Sequence, residues 1–184
     1  MGVGHSLKRA VFLDRDGVIN EAIVKEGKPY PPESVEYLRI LPGVREALKR
    51  LRQKDFLNLV VTNQPDVARG KTPKKVVDAI HERLKGELAL DAIYTCWHED
   101  KDNCNCRKPK PGLLEQAARE HGVDLKSSYM VGDRWRDVEA GAAAGCRTIF
   151  VEYGYNEKKP QNPDFLCHNL KEAAAWIESR EDKT

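Results

Sequence analysis

Five short apolar runs, at 10–13 (AVFL), 57–61 (LNLVV), 92–95 (AIYT), 128–131 (SYMV) and 148–151 (TIFV), constrain this chain more than any other feature. Each is too short for a stable helix and has the length of a buried strand. The segments between them follow helical spacing instead. Val44, Leu48 and Leu51 share a face after Pro42-Gly43. Val76, Val77, Ile80, Leu84 and Leu88 do so after Thr72-Pro73, a Thr N-cap with Pro in the first turn. Helices are also expected over 111–121, ended by Gly122, and over 137–144, ended by Gly145. Asn169 should cap a last one carrying Leu170, Ala173, Ala174 and Ile177. Strands alternating with helices predict an α/β fold, with a mainly parallel sheet covered on both faces.

With 184 residues, no repeat and no linker, the chain reads as one domain over 7–180. Residues 1–6 read as a flexible terminus. Two stretches, 22–40 and 97–110, lack a clear period, and long loops of that kind often carry function. No large insert separates the strands, so no large cap domain is expected. The loops at 22–37 and 96–106 would then frame the entrance to a site.

In an open α/β sheet, ligands bind beyond the carboxyl ends of the strands. The first strand leads into Asp14-Arg15-Asp16-Gly17 and the second into Thr62-Asn63-Gln64. The third leads, through a cysteine-rich loop, to Arg107-Lys108-Pro109. The fourth leads to Gly132-Asp133-Arg134, with Asp137 close behind. Singly, each has a plain reading as a turn, a cap or a solvated charge. Together they offer acids, a hydroxyl, an amide and cations, which suits phosphoryl transfer. Carboxylates can hold a hard cation such as Mg²⁺. That cation and a lysine can neutralise a transferring phosphoryl group while a carboxylate attacks it. Asn63 can reach a phosphate, a sugar hydroxyl, or simply order its loop.

Cys96, His98, Cys104 and Cys106 fall within eleven residues. Three thiolates and one imidazole make a closed tetrahedral set for a structural Zn²⁺, which would staple the loop beside Arg107 and Lys108. Cys146 and Cys167 lie elsewhere and read as small core residues.

Phe12-Leu13-Asp14-Arg15-Asp16-Gly17-Val18-Ile19-Asn20, Val61-Thr62-Asn63-Gln64, Arg107-Lys108-Pro109 and Gly132-Asp133-Arg134 with Asp137 resemble, in order, the four motifs of the haloacid dehalogenase superfamily. The resemblance runs from Arg9 to about Ile177. It implies a Rossmann-like three-layer sandwich and a Mg²⁺-dependent phosphatase with an aspartyl-phosphate intermediate. Asp14 would be the nucleophile and a Mg²⁺ ligand. Asp16 would protonate the leaving oxygen, activate water, and touch the metal through its backbone carbonyl. Asp133 would be the other carboxylate ligand, and Thr62 and Lys108 would hold the phosphate. A zinc loop directly before Arg-Lys-Pro is similar to two groups in the superfamily, the phosphatases of heptose bisphosphates and those of histidinol phosphate. The Gly-Asp-Arg-Trp-Arg-Asp run and the tail Tyr153-Gly154-Tyr155-Asn156 favour the first, hence the 7-phosphate of D-glycero-D-manno-heptose 1,7-bisphosphate. Arg107 or Arg134 could grip a second phosphate bidentately. Pro65 departs from the Ser usual in this motif, and Trp97 stands where Pro is common.

The charge balance argues against other classes. Lys and Arg number 31 against 29 Asp and Glu, a net +2, with no basic stripe. Polynucleotide ends therefore rank low as substrate, and a non-catalytic zinc-containing module is a further lower reading. No apolar run approaches the roughly 18 residues of a membrane helix, and the first ten lack a secretory pattern. A cytoplasmic protein with reduced thiols is expected. The sequence does not reveal an oligomeric state; a monomer is compatible with it.

Overall fold

The structure is a computed structural model and describes residues 7–181; the terminus 1–6 lies outside the described residues. In chain order the elements are β1 (Arg9–Leu13), β2 (Ile23–Lys25), β3 (Lys28–Tyr30), α1 (Val44–Gln53), β4 (Phe56–Asn63), α2 (Lys74–Glu87), β5 (Ala92–Cys96), α3 (Gly112–His121), β6 (Tyr129–Gly132), α4 (Trp135–Ala144), β7 (Arg147–Val151), β8 (Phe165–Cys167) and α5 (Leu170–Glu181). Six strands form a sheet in the order β5-β4-β1-β6-β7-β8. Every neighbouring pair in it is parallel.

The middle layer explains the uninterrupted apolar runs. In β1, Val11 and Leu13 enter one core, while Ala10 and Phe12 enter the other. Helices α1, α2 and α5 supply the first core with Leu48, Ile80 and Ile177. Helices α3 and α4 supply the second with Leu114 and Ala140. Strands buried on both faces are apolar at nearly every position; Asn58 of β4 is buried with its amide donating to Leu48 O and Ala89 O.

Some boundaries differ from expectation. Helix α2 starts at Lys74 with Pro73 in the cap position and no side-chain cap. Thr72 is therefore not the cap; its backbone N–H donates to Asp66 O instead. Helix α4 starts at Trp135, two residues early. Its cap is Arg134, whose N–H donates to the Asp137 carboxylate at 3.0 Å. Asn169 caps α5 as expected, its Oδ1 accepting from the Glu172 N–H at 2.9 Å.

Segment 22–40, which has no clear period in the sequence, contains the antiparallel hairpin of β2 and β3. Glu26 and Gly27 both have positive φ, 52° and 73°. That pair makes a two-residue turn whose twist suits a hairpin. It is the second sheet among the described residues, and no cap of domain size is present there. Strand β8 is likewise unmarked in the sequence. It has three residues, and Leu166 on it is exposed at the sheet edge.

The chain moves outward from β1 through β4 to β5, then crosses by α3 to β6 on the other side. The strand order reverses at β1, and a crevice opens at the carboxyl ends of the flanking strands. No helix of the described residues is long and apolar enough to cross a membrane.

Candidate active site and metal centres

Asp14 leaves the end of β1 with its N–H bonded to Val131 O of β6 at 2.9 Å. Lys108, beyond β5, reaches the same point. Its ammonium donates to Asp14 Oδ1 at 2.8 Å and Val61 O at 2.8 Å, and pairs with Asp137 Oδ1 at 2.6 Å. All three of its donors are used. Burial pushes Lys108 down, but Asp137 and Asp14 outweigh it and hold the amine above its ordinary range.

Asp133 follows β6 and is 1% exposed, and neither of its oxygens has a hydrogen bond of good geometry, although the Tyr155 hydroxyl faces it. A buried, unpaired carboxylate is costly unless it takes up a proton or meets a cation. Burial, with Asp14 and Asp137 adding to it, lifts Asp133 well above the carboxylate range, and the Tyr155 hydroxyl eases this only in part. Burial likewise lifts Asp14 to about 6, against the pull of Lys108. The ligand oxygens of Asp14, Asp133 and Asp137 lie within 4.8 Å of one another. Three acids and one lysine leave surplus negative charge, which fits a divalent cation with oxygen ligands.

Two glycines make this convergence possible. Gly17 has φ +90°, and a Cβ there would collide with the Asp133 carboxylate. A Cβ on Gly132 would collide with Asp137. Asp137 was absent from the expected ligand set. Its sequence signal is the four-residue step from Asp133, which turns it back from the first turn of α4.

Asp16 lines the same cleft, its carboxylate held in a polar cage. Arg15 grips it with Nη2 at 3.0 and 2.9 Å and Nε at 3.2 Å. Asn20 Nδ2 and Gln64 Nε2 donate to it at 2.9 Å each. The same Gln64 amide donates to the Thr62 hydroxyl at 3.0 Å, which aligns β4 with the Asp16 loop. Asn63 clasps the Lys108 backbone: its Nδ2 donates to Lys108 O at 3.1 Å, and Lys108 N donates to its Oδ1 at 3.2 Å. Of its three expected roles, the structure displays the loop-ordering one.

Behind the cage, His81 of α2 has its Nε2 3.0 Å from Arg15 Nη1. Burial, then Arg15, lowers its pKa from 6.5 to about 4. The unfolded chain therefore binds more protons than the folded one between these values. The stability from keeping His81 neutral is present above about pH 6.5 and is lost as pH falls towards 4. Wild type should lose about 2 kcal/mol more than His81→Gln between pH 7 and 5, measured by urea unfolding.

The site opens into a cleft of about 280 Å³. Asp14, Asp16, Thr62 and Lys108 line it, and Lys28–Tyr30 of β3, with Pro31, forms one wall. Its guanidiniums are already matched to acids. Asp100 Oδ1 takes both Arg107 Nε at 2.9 Å and Arg136 Nη1 at 3.0 Å. Glu157 takes Arg134 Nε at 3.1 and 3.0 Å. Arg69, which sequence reading did not single out, pairs with Asp66 and Glu99. Nothing local in the sequence marks Arg136, because its partner lies 36 residues away.

The second centre is the cysteine loop. Cys96 Sγ lies 3.7 Å from His98 Nδ1 and from Cys104 Sγ, and 3.3 Å from Cys106 Sγ. Cys106 Sγ is 3.3 Å from His98 Nδ1 and 3.4 Å from Cys104 Sγ. A tetrahedral ion with bonds of about 2.3 Å requires ligand separations of about 3.7 Å. The four atoms therefore fit a small tetrahedral ion. Burial pushes Cys104 up, but hydrogen bonds from Cys106 and the Arg107 N–H outweigh it and bring it to about 7. Cys146 and Cys167 are buried elsewhere. Trp97 lies under the Lys74 ammonium, 4.7 Å from the ring centre.

Comparison with known proteins agrees with this geometry. The family model described as HAD-hydrolase-like matches residues 105–173. A D-glycero-beta-D-manno-heptose-1,7-bisphosphate 7-phosphatase of Helicobacter pylori is 37% identical over 175 residues, covering 92% of this chain and 97% of that protein. The protein of the same name from Bordetella bronchiseptica is 39% identical over 158 residues, covering 82% and 84%. The crystal structure of D,D-heptose 1,7-bisphosphate phosphatase from B. bronchiseptica, complexed with magnesium and phosphate, superimposes with a TM-score of 0.79. It is 33% identical, and the match covers 94% of this chain and 99% of that one. The chain belongs to the haloacid dehalogenase-like hydrolases, in the family of the D-glycero-beta-D-manno-heptose-1,7-bisphosphate 7-phosphatases.

Proposed function

We infer that this chain is a phosphoric monoester hydrolase that removes the 7-phosphate of D-glycero-D-manno-heptose 1,7-bisphosphate through an aspartyl-phosphate on Asp14. The observation that carries the mechanism is the pairing of Asp14 with Lys108 beside the buried Asp133. The names of the relatives support the substrate.

Lys108 holds Asp14 Oδ1, which leaves Oδ2 to attack phosphorus. The P–O bond to the sugar breaks as the bond to Asp14 forms. As the phosphoryl group arrives, Lys108 exchanges one of its three present acceptors for a non-bridging oxygen, and the Thr62 hydroxyl holds another. Asp16 gives a proton to the departing sugar oxygen, then takes one from the water that hydrolyses the acyl phosphate. Asp137 holds Lys108, and Asn63 holds its backbone. Asp14, Asp133 and the Asp16 backbone carbonyl would hold Mg²⁺, which would supply the positive charge that lets an anion approach an anion. Arg107 and Arg134 bind the second phosphate in exchange for Asp100 and Glu157. The reduced thiols of the zinc loop suit a cytoplasmic enzyme.

The test is turnover of heptose 1,7-bisphosphate against histidinol phosphate. A kcat/KM preference of about 100-fold for the bisphosphate is expected, the size of one or two charge-assisted bonds. A preference for histidinol phosphate would overturn the substrate assignment.

The cysteine loop holds one structural Zn²⁺. Cys104→Ser should lose it, and Tm should fall by roughly 4–20 °C, as for a loss of about 2–5 kcal/mol. Metal analysis and calorimetry check this. Metal-replete protein without zinc would remove the role.

A further inference from the structure

Arg15 is the largest fully enclosed side chain among the described residues, and the chemistry above gives it no contact with substrate. An enclosed guanidinium must be matched on every side. On one side it is: Nε and Nη2 grip both oxygens of Asp16 at 2.9 to 3.2 Å. On the other side, Nη1 meets His81 Nε2 at 3.0 Å.

Arginine has donors only. This contact is a hydrogen bond only if His81 Nε2 carries no proton, so the ring is neutral with its proton on Nδ1. The outer edge of His81 faces a separate groove with Asp78, Glu82, Lys85 and Trp97. None of these four lines the active-site cleft. His81 thus touches neither the cleft nor the phosphate, yet it holds the group that holds Asp16.

We propose that His81 is a positioning residue for Asp16: its unprotonated Nε2 anchors Arg15, and the anchored guanidinium aims the Asp16 carboxyl at the leaving oxygen. The inference rests on the assignment of proton transfer to Asp16. Without the acceptor, one Arg15 N–H is left buried and unpaired. The guanidinium then turns on its flexible stem to find another acceptor. Asp16, bound to it through both oxygens, turns as well. A histidine that merely fills the core would stabilise the fold without touching proton transfer.

The two roles separate by leaving group. A sugar or alkyl oxygen needs the proton from Asp16 as the P–O bond breaks. A nitrophenolate departs with the electron pair and needs none. kcat/KM reports the steps up to formation of the phosphoryl-enzyme, so it isolates this event. The experiment compares wild type, His81→Phe and His81→Gln on the heptose bisphosphate and on p-nitrophenyl phosphate, with Mg²⁺ and zinc present. For His81→Phe, kcat/KM should fall about tenfold or more on the sugar phosphate and less than about threefold on the aryl ester, a share of the 10²–10⁴ that general acids contribute. His81→Gln keeps an acceptor oxygen and should recover most of the loss. Nitrogen NMR of wild type should show an unprotonated His81 Nε2 at pH 7, a measurement that needs no variant to fold.

Equal losses on both esters, no loss on either, or Gln no better than Phe would overturn the positioning role. So would a protonated Nε2. Wild type inert towards both esters would instead overturn the phosphatase reading beneath it.

Discussion

Asp14→Asn should leave a folded protein whose turnover has dropped by a factor on the order of 10⁴ to 10⁶, the scale seen when a catalytic nucleophile is deleted. The substitution keeps the shape and removes the attacking oxyanion. Folding should survive because burial works against the native charge. Asp14 is lifted from 3.8 to about 6 in the fold. The folded state then binds more protons than the unfolded one between these values, so wild type loses stability as pH rises through that window. A neutral Asn removes that penalty and leaves Lys108 paired with Asp137. In Mg²⁺-free buffer at pH 7, the variant should be at least as stable as wild type by calorimetry. Residual turnover within about 100-fold of wild type would show that another group forms the covalent bond.

Lys108→Met should harm both stability and rate. The ammonium is 2% exposed and is the cation shared by Asp14 and Asp137. Removing one partner of a buried pair typically costs about 3–5 kcal/mol, or roughly 6–20 °C in Tm for a chain of this size. Lys108 is held above its ordinary range, so its contribution is fully present across neutral pH. The loss should be larger at pH 8 than at pH 5, where the acids left behind take up protons. Added Mg²⁺ should restore part of it. Turnover should fall by about 10²–10³, as for loss of one preorganised charge at a transition state. A variant with unchanged Tm at pH 8 would mean that the carboxylates do not depend on this lysine.

Much of the candidate site could be read from the chain alone. Asp14, Thr62 and Asp133 stand at or just beyond the ends of apolar runs, and runs buried on both faces have to be strands. Their polar ends then share one edge of a parallel sheet. The Cys/His cluster was legible for a different reason: three thiols and an imidazole within eleven residues need only local chain reversal to meet. The hairpin of β2 and β3 was illegible because Glu-Gly is a weak turn signal beside Asn-Gly. β8 was illegible because three residues carry no period.

Residue order and apolar pattern thus determined the fold class, the carboxylates that stand beyond the strands, and the composition of the thiolate loop. Only the tertiary structure decided which charges meet. Lys108 reaches Asp14 across 94 residues and Arg15 reaches His81 across 66, while Asp100 takes two arginines at once. Such pairings follow from strand order and helix placement, and the burial that makes each one strong exists only once the layers have packed.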